Sequence, residues 1–296
     1  MFLNTNPSQI YAFSQLIPED NNVNNGYVIV GVPFDSTTCY LSGSRYGPYA
    51  IRESSYNFEV FNFQLKKKLD IESYDIGDID VTPGNYLKTH LKIKDTINEV
   101  QKLNLKPITI GGEHTITCGV LESIKEYDPE EFKDLTVVVL DAHLDMRDSY
   151  LEEKYSHATT MRRVLDLEPK QIIQLGIRSA CEEEYLFVKD NEKIEIYTNR
   201  DIIENKKEVL NKLSSIKTPV YISVDIDVLD PSFAPSVGTP ASCGLSPLDI
   251  EDIIFTLSKC NVKGLDIVEV SSNTLGDSTS INASKIIYDF LTMKSN

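Results

Sequence analysis

The stretch Thr136-Val-Val-Val-Leu140 runs without interruption into Asp141-Ala-His143-Leu-Asp145. Its first half has no polar face. A strand with one side in water alternates apolar and polar residues, so a continuous apolar run of this length reads as a strand buried on both sides. Strands of that kind belong to parallel sheets covered by helices. The second half then places three polar side chains where such a strand must end.

Outward from this stretch the pattern repeats. Short runs rich in Val and Ile predict strands over Tyr27–Val32, Pro107–Ile110, Leu135–Leu140, Gln171–Leu175, Lys193–Tyr197, Val220–Val224 and Lys263–Val268. Amphipathic spacing predicts helices over Lys92–Leu105, Thr117–Tyr127, Thr160–Leu167, Asp201–Leu213, Pro247–Ser258 and Ser280–Met293, with Ser246 as cap and Pro247 in the first turn. Strands alternating with helices form βαβ units, so the fold class is α/β with a mostly parallel central sheet. No long linker, repeat or low-complexity segment divides the chain, and one domain over residues 1–296 is expected. Lys66–Lys68 reads as a solvated turn, His90 as a solvent-facing helix residue and Ser271–Ser280 as a loop.

Composition excludes several classes of partner. With 29 Lys and Arg against 45 Asp and Glu, the formal net charge is −16, which opposes nucleic-acid binding and basic membrane-surface patches. The apolar runs are far too short to span a bilayer, and Met1–Phe13 lacks the basic and apolar regions of a secretory signal. Five dispersed cysteines with no C-x-x-C pair suit free thiols in a reducing cytoplasm.

The chemistry gathers at strand ends, where α/β proteins bind their ligands. Pro107-Ile-Thr-Ile-Gly-Gly-Glu-His114 delivers a histidine past a glycine turn. Asp141, His143 and Asp145 follow Leu140, and Asp225 and Asp227 lie in Ser223-Val-Asp-Ile-Asp-Val-Leu-Asp-Pro231. Residues two apart on an extended chain share a face, so each set can converge. A lone DxD is ordinarily a turn or a helix cap; the combination is not. Four buried carboxylates would resist ionisation unless cations neutralised them. Oxygen donors with imidazole and no thiolate suit Mn²⁺ or a similar divalent ion, with Zn²⁺, Co²⁺ and Ni²⁺ as competitors. Bridging carboxylates would support two metals and one acidified water.

GGEHT at Gly111–Thr115, DAHLD at Asp141–Asp145 and SVDIDVLDPSFAP at Ser223–Pro235 resemble, in the same order, the three metal-binding signatures of the ureohydrolase family, the arginases and agmatinases. Gly31–Asp35, Gly43–Pro48 with Ile51-Arg52, and Gly264–Val270 extend the likeness from about residue 27 to the C-terminus. The resemblance implies a three-layer αβα sandwich and a binuclear Mn²⁺ centre. One ion would take His114, Asp141, Asp145 and Asp225; the other would take His143, Asp141, Asp225 and Asp227. It further implies a proton-accepting role for Asp145, a guanidinium-binding role for Glu269, a pocket-lining place for Thr239, and a proton shuttle in His157.

Arginases of the family carry Asn two residues beyond the DAHxD motif, where this chain has Arg147; pairing with Asp148 or Glu152 is expected for it. With the segment Arg147–Arg162, this likens the chain to agmatinases: agmatine and water to putrescine and urea. Arginine, guanidinobutyrate and aminopropylagmatine are alternative substrates. A single-zinc deacetylase-like enzyme and a non-catalytic binding protein are the alternatives of other classes. The partner expected is a small cationic guanidino compound. Family members form homo-oligomers, so a trimer or hexamer is expected.

Overall fold

A computed structural model describes residues 4–6, 9–23 and 25–295. Its strands are β1 (Thr5–Asn6), β2 (Tyr27–Val32), β3 (Phe61–Asn62), β4 (Lys67–Lys68), β5 (Ser73–Ile79), β6 (Lys106–Gly111), β7 (Thr136–Leu140), β8 (Gln171–Ile177), β9 (Ile194–Thr198), β10 (Val220–Asp225) and β11 (Val262–Val268). Its helices are α1 (Gly47–Ser55), α2 (Tyr86–Lys102), α3 (Ile116–Tyr127), α4 (Pro129–Lys133), α5 (Thr160–Asp166), α6 (Glu182–Lys189), α7 (Asn199–Glu204), α8 (Lys206–Ser214), α9 (Pro247–Leu257) and α10 (Ser278–Lys294). All strands except the β3–β4 hairpin join one sheet in the order β1-β5-β2-β6-β11-β10-β7-β8-β9. Every pairing in it is parallel apart from β1 with β5.

The period-2 geometry of β7 divides its apolar residues between two cores. Val138 and Leu140 join one, with Ile51 of α1, Leu213 of α8, Ile253 of α9 and Ile287 of α10. Val137 and Val139 join the other, with Ile93 of α2, Val120 of α3 and Val164 of α5. Helices therefore cover both faces, as the doubly apolar strand requires. Each such side chain taken fully from water contributes about 1.5–3 kcal/mol. The cap anticipated at α9 forms: the Ser246 hydroxyl and the Asp249 carboxylate exchange bonds with one another's backbone N–H groups.

Strand β5 escapes sequence reading because Asp75 and Asp78 interrupt its apolar pattern. Its charge is met inside the protein. Arg52 of α1, 2% exposed, donates from Nε and one terminal nitrogen to Asp75 at 2.8 and 2.9 Å, and from the other to Asp78 at 2.5 Å. Helix α1 is also missed, since it opens on Gly47-Pro48, and Asn205 splits the expected helix Asp201–Leu213 into α7 and α8. His90 is buried rather than solvent-facing. Tyr86 and Glu122 meet its two ring nitrogens at 2.8 and 2.7 Å, which removes the cost of burying it. Lys67 and Lys68 form an edge strand, and the Lys67 ammonium donates to the Met293 carbonyl.

Parallel strands end together, so the carboxyl ends of β6, β11, β10 and β7 open side by side at the centre of one sheet edge. The three polar signatures and Glu269 leave from those four adjacent ends.

Candidate metal centre

At the end of β6 the chain turns through Gly112, which donates to the Val32 carbonyl at 2.8 Å. A Cβ there would stand 1.8 Å from the Phe34 carbonyl oxygen, so only glycine allows the close approach. The turn delivers His114, wholly buried, into three carboxylates. Its Nδ1 lies 3.1 Å from Asp145, 3.3 Å from Asp141 and 3.6 Å from Asp225. On its other side Nε2 meets Ser223 Oγ at 3.0 Å, and Ser223 donates its own proton to Asp266 at 2.6 Å. The hydroxyl therefore accepts Nε2–H, and Nδ1 faces the carboxylates. A positive charge, a proton on Nδ1 or a cation in its place, is needed between that nitrogen and the anionic oxygens.

A second group lies beside the first. His143 Nδ1 is 3.0 Å from Asp227 and 3.7 Å from Asp141. His114, Asp141 and Asp145 form one set with the ligand spacing of a cation site, and Asp141, His143 and Asp227 form another, with Asp141 common to both. Its Oδ1 accepts the His143 N–H at 2.6 Å, while its buried Oδ2, 3.3 Å from His114 Nδ1, has no well-aligned hydrogen bond among the described residues. Asp225 Oδ1 likewise accepts the Asp227 N–H at 2.9 Å.

The convergence has a different origin from the alternation expected of an extended chain. Beyond Leu140 the backbone leaves the strand, and Asp145 turns back with φ 52°. Beyond Asp225 a short 3-10 turn, Ile226–Val228, brings Asp227 round. Glu269 also adopts φ 66° at the end of β11. Left-handed backbone costs a non-glycine residue about 1–2 kcal/mol, and these two carboxylates hold it at the cluster.

Protonation follows the crowding. Burial and the neighbouring Asp141 push Asp145 up to about 7. Burial, with Asp227, Asp141 and Glu269, raises Asp225 well above the carboxylate range. Burial alone would lower both histidines, yet hydrogen bonds and charge from Asp141 and its neighbours raise His114, and His143 to about 12. The cluster attracts positive charge. Hard oxygen donors with two imidazoles fit divalent cations such as Mn²⁺, and the unsatisfied Asp141 oxygen supports that fit.

Glu269, Thr239 and His157 share a cleft with His143, Asp145 and Asp225. Glu269 is buried, accepts the His114 N–H at 2.8 Å and is raised by burial and by the charge of Glu113. Thr239 donates to Asp227 Oδ2 at 3.3 Å. Burial lowers His157, whose Nε2 lies 3.3 Å from Cys39 Sγ. Arg147 pairs with neither Asp148 nor Glu152. It lies 3.8 Å from the buried Glu184 and over the Tyr150 ring, while Arg163 takes Asp148 at 2.9 Å. Sequence reading missed Asp266, which orients His114 through Ser223. A carboxylate inside the apolar strand Val262–Val268 was the available signal.

A mostly parallel α/β sheet with a carboxylate–imidazole cluster at its central strand ends is an arrangement that could hold divalent cations. Residues 25–293 match the model of the arginase family. The N(1)-aminopropylagmatine ureohydrolase of Thermococcus kodakarensis is 38% identical over 88% of this chain and 88% of its own. The agmatinase of Bacillus cereus is 36% identical over 89% and 90%. The solved agmatine ureohydrolase of Thermoplasma volcanium superposes with a TM-score of 0.81 at 32% identity, covering 96% and 95%. The chain belongs to the arginase family. Among the described residues no helix is long and apolar enough to cross a membrane.

Proposed function

We propose that the chain, acting as one domain, hydrolyses agmatine to putrescine and urea with two Mn²⁺ ions. The observation that carries this reading is a buried carboxylate, Glu269, that pairs with no Lys or Arg among the described residues and lies in the same cleft as the metal cluster. His114, Asp141, Asp145 and Asp225 would hold one ion, and His143, Asp141, Asp225 and Asp227 the other. When bound, the ions neutralise the carboxylates and acidify water. Glu269 receives the planar guanidinium and fixes its orientation. Thr239 closes the wall beside it. Asp145 accepts a proton from the attacking water, and His157 gives one to the leaving amine from Nε2. The names of the relatives support this substrate class, with aminopropylagmatine as the nearest alternative.

Among guanidino substrates, Arg147 argues against arginine through its position. It stands where arginases of the family have Asn, and the guanidinium already lies near Glu184 and over Tyr150. A urea-release panel over agmatine, arginine, guanidinobutyrate and aminopropylagmatine is therefore expected to give the highest kcat/KM with agmatine. A higher value for arginine would overturn the substrate assignment, and no urea from any of the four in the Mn²⁺-loaded protein would overturn the activity.

Metal binding should depend on pH in a direction the site sets. Asp145, raised to about 7, is protonated below that pH and must lose its proton to a cation. The raised His114, His143 and Asp225 must give up protons as well, so Mn²⁺ affinity is expected to weaken by at least roughly tenfold for each pH unit lowered, most steeply below 7 where Asp145 is protonated too. Calorimetric titration between pH 8 and 6 measures this; a constant affinity across that range would contradict it.

A further inference from the structure

Gly31–Asp35 and the residues after it have no part in the reaction above, yet they run from β2 past the metal cluster to His157. The Phe34 carbonyl accepts the Glu113 N–H at 2.7 Å, beside the glycine turn. The Asp35 carboxylate accepts from Gly43 N at 3.2 Å and Arg45 Nε at 2.8 Å, which roots the arm in the Gly43–Pro48 segment. Thr38 donates back to the Asp35 carbonyl at 2.8 Å.

The arm then closes on His157. Glu113, wholly buried, accepts the Thr37 N–H at 2.8 Å and the Thr37 hydroxyl at 2.7 Å. Having donated its proton, Thr37 Oγ1 accepts the His157 N–H at 3.1 Å. Two residues on, Cys39 Sγ lies 3.3 Å from His157 Nε2. One arm thus holds the backbone of His157 with Thr37 and the ring with Cys39. A thiol suits the second contact. It donates S–H to an unprotonated Nε2, and as a weak acceptor its sulfur yields the N–H of the protonated ring to the leaving amine, so the imidazole keeps its place through a proton transfer. The Tyr150 ring stands edge-on to the imidazole at 5.7 Å, and Ser156 Oγ lies 3.2 Å from Nδ1.

We propose that Thr37 and Cys39 are positioning residues for the imidazole of His157, with Glu113 anchoring the arm that carries them. The inference rests on the reading of His157 as proton donor to the leaving amine.

A double-mutant cycle in the Mn²⁺-loaded enzyme tests it. Thr37→Val keeps the shape and removes the hydroxyl. It is expected to lower kcat about tenfold, within the range for a misplaced catalytic group, with KM and metal content unchanged. Cys39→Ala should cost about threefold, and Cys39→Ser should recover most of that, since a hydroxyl both donates and accepts. His157→Ala should lower kcat about 10²-fold. In the His157→Ala background neither Thr37→Val nor Cys39→Ala should lower the rate further, because both act through the missing ring. Equal losses in both backgrounds would make the arm merely structural and overturn the proposal. So would wild-type kcat in Thr37→Val and Cys39→Ala beside a slow His157→Ala. Full activity of His157→Ala would overturn the underlying reading together with the proposal. Cys39 is exposed, so its variants keep the test open if Thr37→Val fails to fold.

Discussion

Asp225→Ala is expected to abolish urea release and to leave the protein unable to hold two Mn²⁺ ions. Asp225 closes β10, the strand between β11 and β7, and its two oxygens do separate work. Oδ1 accepts the Asp227 N–H and sets the turn that presents Asp227; Oδ2 faces His114 Nδ1 at 3.6 Å. In the proposed assignment this carboxylate serves both ions. Its loss removes a ligand from each and releases the Asp227 turn, so kcat is expected to fall by roughly 10³-fold or more, the worth of metal-ion charge stabilisation. His143→Ala touches only the second ion and should leave about one Mn²⁺ per chain with similarly little activity. Metal analysis after gel filtration, paired with urea release, reads both effects. Wild-type turnover with two ions per chain in Asp225→Ala would sink the ligand assignment.

How much of this was legible beforehand divides along physical lines. The sheet was readable because its central strands are apolar on both faces, and Val137 through Leu140 need two cores wherever the chain runs. Strand β5 was not, because a strand whose Asp75 is buried against Arg52 carries its compensation 23 residues away in sequence. Clustering of His114, Asp141, His143, Asp145, Asp225 and Asp227 was expected from spacing, but the chain reaches it by other means. Left-handed backbone at Asp145 and a 3-10 turn before Asp227 do what extended alternation was expected to do. Conformations of that kind are imposed by surrounding contacts and leave little local trace. The His157 supports were hidden for the same reason: Thr37 and Cys39 lie 120 and 118 residues from it along the chain. His90, read as a surface residue because it stands apart from the polar signatures, is inside because Tyr86 and Glu122 satisfy it.

Glu269→Gln separates the binding of substrate from the binding of metal. The glutamate sits at the end of β11 with its N–H on the Gly112 carbonyl and one carboxylate oxygen on the His114 N–H at 2.8 Å. Glutamine is close to isosteric and its amide oxygen can keep that bond, so the His114 turn should survive the change. What is lost is the charge. Burial and the nearby Glu113 raise Glu269 well above the ordinary carboxylate range, which disfavours the anion until a cation arrives. A guanidinium entering the cleft is such a cation, and its forked donors match a carboxylate and not an amide. Truncating one partner of a buried, hydrogen-bonded charge pair costs about 2–5 kcal/mol, so kcat/KM for agmatine should fall by roughly 10²- to 10³-fold while two ions per chain remain. Inhibition gives an independent reading: guanidinium compounds should compete strongly with substrate in the wild type and weakly in the variant, whereas their urea counterparts should bind both alike. Unchanged kcat/KM in Glu269→Gln at full metal content would place the guanidinium elsewhere in the cleft.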